Sequence, residues 1–221
     1  MDVKEMLKHV DHTQLQAFCT WEDIEKLCKE AIEFETASVC IPPSYVKMVN
    51  KNFGDKLNIC TVIGFPLGYQ VTSAKVAEVE EALKQGCNEI DMVVNITDVK
   101  NGLYGKVEEE IRAVKKACGD HILKVIIETC YLTEEEKIAM CKAVTNAGAD
   151  YIKTSTGFGT GGATLEDVKL FKEHIGPNVK IKAAGGVSTL HDLEAFLNLG
   201  CDRIGTSRAV GLCKGELTKG Y

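Results

Sequence analysis

The sequence predicts an α/β chain closed into a (β/α)8 TIM barrel, on three observations. Short apolar runs recur along its whole length, each flanked by turn residues. Charged stretches rich in alanine and leucine, with helical spacing, separate them, and this strict alternation implies a parallel sheet covered by helices. The runs number eight once a short one near the N-terminus is included, which favours a closed barrel over a doubly wound open sheet. At 221 residues and 45% hydrophobic composition the chain can bury a substantial core, and it is read as a single domain spanning 1–221.

The strands follow in order. "VDHT" (10–13) is the short first one, then "ASVCI" (37–41) and "NICTVIGF" (58–65). The helical stretch "TSAKVAEVEEALKQG" leads to "EIDMVVNI" (89–96) and "ILKVIIE" (122–128). In "TEEEKIAMCKAVTNAG" Thr133 stands three residues before Glu136, the spacing of a capping box. The remaining strands are "DYIKTS" (150–155), "VKIKAAGG" (179–186) and, after the helical "TLHDLEAFLNLG", "DRIGTS" (202–207). Gly86, Gly148 and Gly200 follow last helical turns as C′ residues. No G-x-G-x-x-G follows the first strand, which weakens a dinucleotide-binding reading.

Composition excludes several function classes. A formal charge of −6 argues against a general nucleic-acid or anionic-membrane binder, so an anionic ligand must be met by local features. The ten cysteines are scattered without a C-x-x-C pair, the pattern of buried free thiols in a reducing compartment. With no apolar leader and no run of membrane-spanning length, a cytoplasmic location is expected.

In a barrel, chemistry gathers where strands end. Asp91, Lys124, Glu128, Lys153 and Lys182 are the titratable residues placed there. The period of two puts Lys153 on one face with Tyr151 and Ser155, and Lys182 with Lys180 and Ala184, so both lysines can project into one interior from neighbouring strands. A lone strand lysine is ordinarily an end residue whose ammonium reaches water. Two on adjacent strands beside an aspartate point instead to a neutral amine, because like charges held close depress a lysine pKa. Asp91, between Ile90 and Met92, reads either as a structural ion pair or as a proton-transfer group. Lys124 and Glu128 read as a supporting pair. The turns "TGFGTGG", "GGVST" and "GTS" end consecutive strands and offer backbone N–H groups to an anion such as a phosphate.

With "YIKTSTGFGTGGAT", "EIDMVVNI", "LKVIIET", "IKAAGGVST" and "RIGTS" in this order, the sequence resembles the deoxyribose-phosphate aldolases, class I aldolases on a (β/α)8 barrel. The similarity runs from "VDHT" and "ASVCIPPSYV" through "CTVIGFPLG" to "RIGTS". It implies that Lys153 is the Schiff-base lysine, that Lys182 is the second active-site lysine, and that Asp91 joins it in a proton relay. It further implies phosphate contacts from Gly157, Gly185, Gly186, Gly205 and Ser207. The expected reaction is reversible cleavage of 2-deoxy-D-ribose 5-phosphate to glyceraldehyde 3-phosphate and acetaldehyde in deoxyribonucleoside catabolism, with no metal or organic cofactor and with a homo-oligomeric enzyme. The chain departs from many relatives at Gln14-Leu15-Gln16, where they carry a leucine-lysine pair, and at Arg208, where a small residue is usual. The C-terminal Tyr221 is read either as a frayed end or as a phenol that reaches the site. The alternatives are another Schiff-base aldolase or a sugar-phosphate isomerase on the same barrel, a non-catalytic phosphosugar-binding barrel, and a metal-dependent hydrolase using His9, Asp11 and His12.

Overall fold

Eight parallel strands pair in chain order, and the eighth closes on the first. The computed structural model describes residues 1–215. Helix α1 (Val3–Leu7) precedes β1 (Val10–Thr13), and α2 (Trp21–Glu33) leads to β2 (Ser38–Ile41). Next come α3 (Val46–Phe53), β3 (Ile59–Ile63), α4 (Thr72–Lys84) and β4 (Glu89–Val93). The short α5 (Ile96–Lys100) and the longer α6 (Tyr104–Cys118) precede β5 (Ile122–Ile126) and α7 (Glu134–Asn146). The chain continues through β6 (Tyr151–Lys153), α8 (Leu165–His174), β7 (Lys180–Ala184), α9 (Leu190–Leu199), β8 (Arg203–Thr206) and α10 (Ala209–Cys213). This is the expected (β/α)8 barrel rather than an open sheet. No helix among the described residues is long and apolar enough to cross a membrane.

Local signals place the helices as expected. Thr133 and Glu136 cap α7 reciprocally, and the same box recurs at Thr20 with Asp23 and at Thr189 with Asp192. Gly86 and Gly148 take the left-handed conformation just past their caps, whereas Gly200 is itself the cap residue of α9. The strands are shorter than the apolar runs. β6 keeps only three residues; the Thr154 N–H makes the last ladder bond, to Lys182 O, and the Thr154 hydroxyl then bridges to Ala184, donating to its carbonyl and accepting from its N–H.

Alternation divides the strand residues between two environments. Ile90, Met92, Leu123, Val125, Ile152, Ile181 and Ala183 pack outward against helix residues such as Ile111, Val144 and Phe171. Glu89, Asp91, Lys124, Lys153 and Lys182, the residues between them, fill the barrel instead. A smaller apolar group of Leu15, Cys40, Cys60 and Val62, with Phe65 against it, adjoins that polar interior.

One buried ion pair holds the helical layer to the C-terminal end of β4. Lys75 of α4, fully buried, lies 2.9 Å from Glu110 of α6 and donates to Val93 O at the end of β4, while Glu110 accepts from Asn95 N–H. Replacing Lys75 with methionine leaves a buried carboxylate without its counter-ion and is expected to cost about 3 kcal/mol in urea unfolding. Adding Glu110→Leu should recover most of that loss, since removing both charges removes the unpaired one.

Candidate active site

The barrel interior holds a charge cluster that six of the eight strands build. Asp91 of β4 is its centre and is fully buried. Its Oδ2 accepts from Lys153 Nζ and from Lys182 Nζ, both at 2.7 Å, and its Oδ1 from Lys124 Nζ at 3.0 Å and from Cys60 Sγ at 3.2 Å. Lys153 and Lys182 are direct register partners on β6 and β7, so one carboxylate oxygen meets both ammonium ends. Asp11 of β1 contacts Lys182 at 2.5 Å, and Glu89 contacts Lys124 at 2.6 Å. Arg203 of β8 spans Asp11 and, through two nitrogens at 3.0 Å, Glu89.

Burial alone would push the Asp91 carboxyl up, but Lys124, Lys153 and Lys182 outweigh it and hold the group well below the usual carboxylate range. Asp11 is depressed for the same reason, by Lys182, Lys124 and Arg203. Burial would lower the Lys182 amine, yet Asp11 and Asp91 raise it above its ordinary value, so Lys182 is a retained charge rather than a depressed one. Lys124 is raised likewise, by Asp91, Asp11 and Glu89 against its burial.

Lys124 and Glu128 do not pair. Four residues along an extended chain separate them by roughly 13 Å, so the shared face does not bring them into contact. Lys124 sits deep among the acids, while Glu128 lies beyond the end of β5 with φ 53°. Its carboxylate accepts from the Thr156 N–H and hydroxyl, which pins the start of the glycine-rich turn, and burial pushes its pKa up.

Above the cluster a cleft opens between the ends of β6, β7, β8 and β1. Gly157, Gly185, Gly186, Gly205 and Ser207 all line it, together with Thr156, Arg208 and Lys153. Of the three residues Lys153, Lys182 and Asp91, Lys153 alone is in its wall; the other two lie behind it. One glycine is sterically required beside the cleft and a second is closely packed. A side chain at Gly162 would meet the Gly185 backbone at 2.4 Å, where Ala163 N–H binds the carbonyls of Ala184 and Gly185. One at Gly205 would meet Lys182 Cε at 3.1 Å.

The residues behind the hydrolase alternative are not brought together. His9 Nδ1 contacts Asp202 O, Asp11 is in the ion cluster, and His12 Nε2 contacts Glu30 outside the barrel wall. Among the described residues the group that converges with metal-ligand spacing is Cys40, Cys60 and Asp91, but Asp91 already faces three lysines, a setting that opposes a cation. Tyr221 lies outside the described residues.

Sequence reasoning did not single out Glu89 and Arg203, and it placed Asp11 in a different site. For Glu89 the signal was present: it lies two residues before Asp91, and the strand period puts both on one face. Arg203 carried none, because its partners come from β1 and β4 and only barrel closure brings them near.

The model of the DeoC/LacD family aldolase matches residues 1–215. Over 221 residues the chain is 71% identical to a deoxyribose-phosphate aldolase of Clostridium botulinum (strain Alaska E43 / Type E3), covering all of both chains. It is 59% identical over 219 residues to one from Clostridioides difficile (strain 630), covering 99% of this chain and 100% of that relative. Among solved structures, the aldolase QR15 superposes with a TM-score of 0.91 at 37% identity, over 96% of this chain and 95% of that one. The tetrameric deoxyribose phosphate aldolase from Aeropyrum pernix superposes with a TM-score of 0.89 at 28% identity, over 97% and 92%. A closed barrel with a lysine at the foot of a glycine-lined cleft, matched end to end by these relatives, makes this chain a member of the DeoC/LacD aldolase family.

Proposed function

We propose that the chain is a class I aldolase that cleaves 2-deoxy-D-ribose 5-phosphate to glyceraldehyde 3-phosphate and acetaldehyde, with Lys153 as the Schiff-base nucleophile. The observation that carries the residue assignment is that, among the described residues, Lys153 is the one lysine that both contacts Asp91 and lines the cleft. The charges favour the same choice. Asp11, Glu89 and Asp91 are matched one for one by Lys124, Lys182 and Arg203, so the cluster is balanced when Lys153 is the neutral amine that attack on a carbonyl requires.

In this reading Lys153 Nζ adds to the C1 aldehyde of the open-chain sugar, and loss of water gives a protonated imine. The C3 hydroxyl gives its proton through a water to the Asp91 carboxylate, with the Lys182 ammonium beside it as the fixed charge. As the C2–C3 bond breaks, its electrons pass to the imine nitrogen, C3 leaves as the aldehyde of glyceraldehyde 3-phosphate, and an enamine remains. Protonation at C2 and hydrolysis release acetaldehyde and Lys153. The amides of Gly157, Gly185, Gly186 and Gly205 and the Ser207 hydroxyl hold the 5-phosphate.

The family and the relatives' names support the substrate, and the tetramer of the Aeropyrum pernix relative supports a homo-oligomer. Ten free cysteines, most of them buried, support a cytoplasmic enzyme. Borohydride reduction in the presence of acetaldehyde tests the assignment: a two-carbon adduct should map to Lys153 by peptide mass. An adduct on Lys182 instead, or none on folded protein, overturns it.

A further inference from the structure

The cleft differs from the rest of this acidic protein in one respect: two basic side chains, Lys153 and Arg208, line it, and among the described residues no carboxylate does. The chain has three arginines. Arg112 pairs with Glu108, and Arg203 with Asp11 and Glu89. Among the described residues the Arg208 guanidinium has neither an ion-pair nor a hydrogen-bond partner. Its backbone is nevertheless fixed. The Arg208 N–H donates to Thr206 Oγ1 at 3.1 Å, and that hydroxyl donates to Val187 O at 3.1 Å, which ties the turn after β8 to the turn after β7. A long, half-buried cation is thus anchored at its root beside Gly185, Gly186 and Ser207, with its head unpaired.

We propose that Arg208 is a specificity-determining residue that binds the substrate's phosphate, and that it makes doubly charged phosphate monoesters the preferred substrates of this cleft. Backbone amides alone accept any small anion, whereas a guanidinium adds a charge and a planar pair of donors that match two phosphate oxygens. The inference rests on the aldolase reading for its substrate but not for its chemistry, which requires only an anion in the glycine-lined end.

The test compares 2-deoxyribose 5-phosphate with unphosphorylated 2-deoxyribose in wild type, Arg208→Ala and Arg208→Lys. In Arg208→Ala the ratio of kcat/KM for the phosphorylated over the unphosphorylated sugar should fall roughly 10- to 100-fold, the range of a charge-assisted hydrogen bond, with the change in KM rather than kcat. Arg208→Lys should recover part of it, since the charge returns without the planar fork. Calorimetric titration with inorganic phosphate should show the same order of weakening. A ratio and a phosphate affinity both unchanged in Arg208→Ala overturn the proposal. Acetaldehyde carries no phosphate, so its borohydride adduct reads Lys153 separately. If wild type forms no adduct the aldolase reading falls, and phosphate titration still decides the role of Arg208.

Discussion

Lys153→Met should lower kcat by on the order of 10⁴-fold or more, because the imine route loses the amine that lines the cleft. The same substitution should leave the melting temperature close to that of wild type. Methionine keeps the apolar stem, and it removes the one basic group that the three interior acids do not need for balance. Lys124→Met, in contrast, strips Glu89 and Asp91 of a partner in a fully buried setting and should cost about 3 kcal/mol or more. Circular-dichroism melts of the two variants beside steady-state rates decide the matter. A Lys153→Met protein as destabilised as Lys124→Met would show that Lys153 is a structural charge.

The second large effect is expected at Asp91. Asp91→Asn keeps the shape but turns one oxygen into an NH₂ donor facing lysine donors, and removes the charge that Lys124, Lys153 and Lys182 share. Loss of the proton-transfer partner should lower kcat by about 10³-fold. Lys124, Lys182 and Arg203 would then face only Asp11 and Glu89, and breaking a buried pair in this way costs about 3–5 kcal/mol.

The pH dependence of that loss has a definite sign. The folded Asp91 carboxyl is depressed far below its ordinary 3.8, so its stabilising contribution is complete above that pH and is lost as the pH falls beneath it. The stability gap between wild type and Asp91→Asn should therefore be constant through neutral pH and narrow below about pH 4, as urea unfolding across a pH series would show. A gap that widened in acid would contradict the ion-pair geometry.

How far the site could be read in advance depended on the range of the interactions involved. The period of two placed Lys153 and Lys182 on inward faces, and the barrel has both on Asp91. The supporting pair read at Lys124 and Glu128 does not form, since Lys124 lies among the interior acids and Glu128 beyond the end of β5. The glycine turns were legible as an anion-binding end because each is a local motif, and all five expected residues line one cleft. That Gly162 must be glycine was not legible, because the backbone it avoids belongs to the turn after β7.

By itself the sequence determined the alternation of strand and helix, the helix caps, the inward faces and the family, because these depend on spacing within one segment or on motifs kept in order. The tertiary structure decided the charge states. Lys182 is held protonated by Asp11, and Asp91 is pinned by three lysines, only after the closure of β8 on β1 brings together residues far apart in the chain. In a dry interior the sign of each shift depends on which opposite charge lies within a few ångströms, and that separation exists only in the closed barrel.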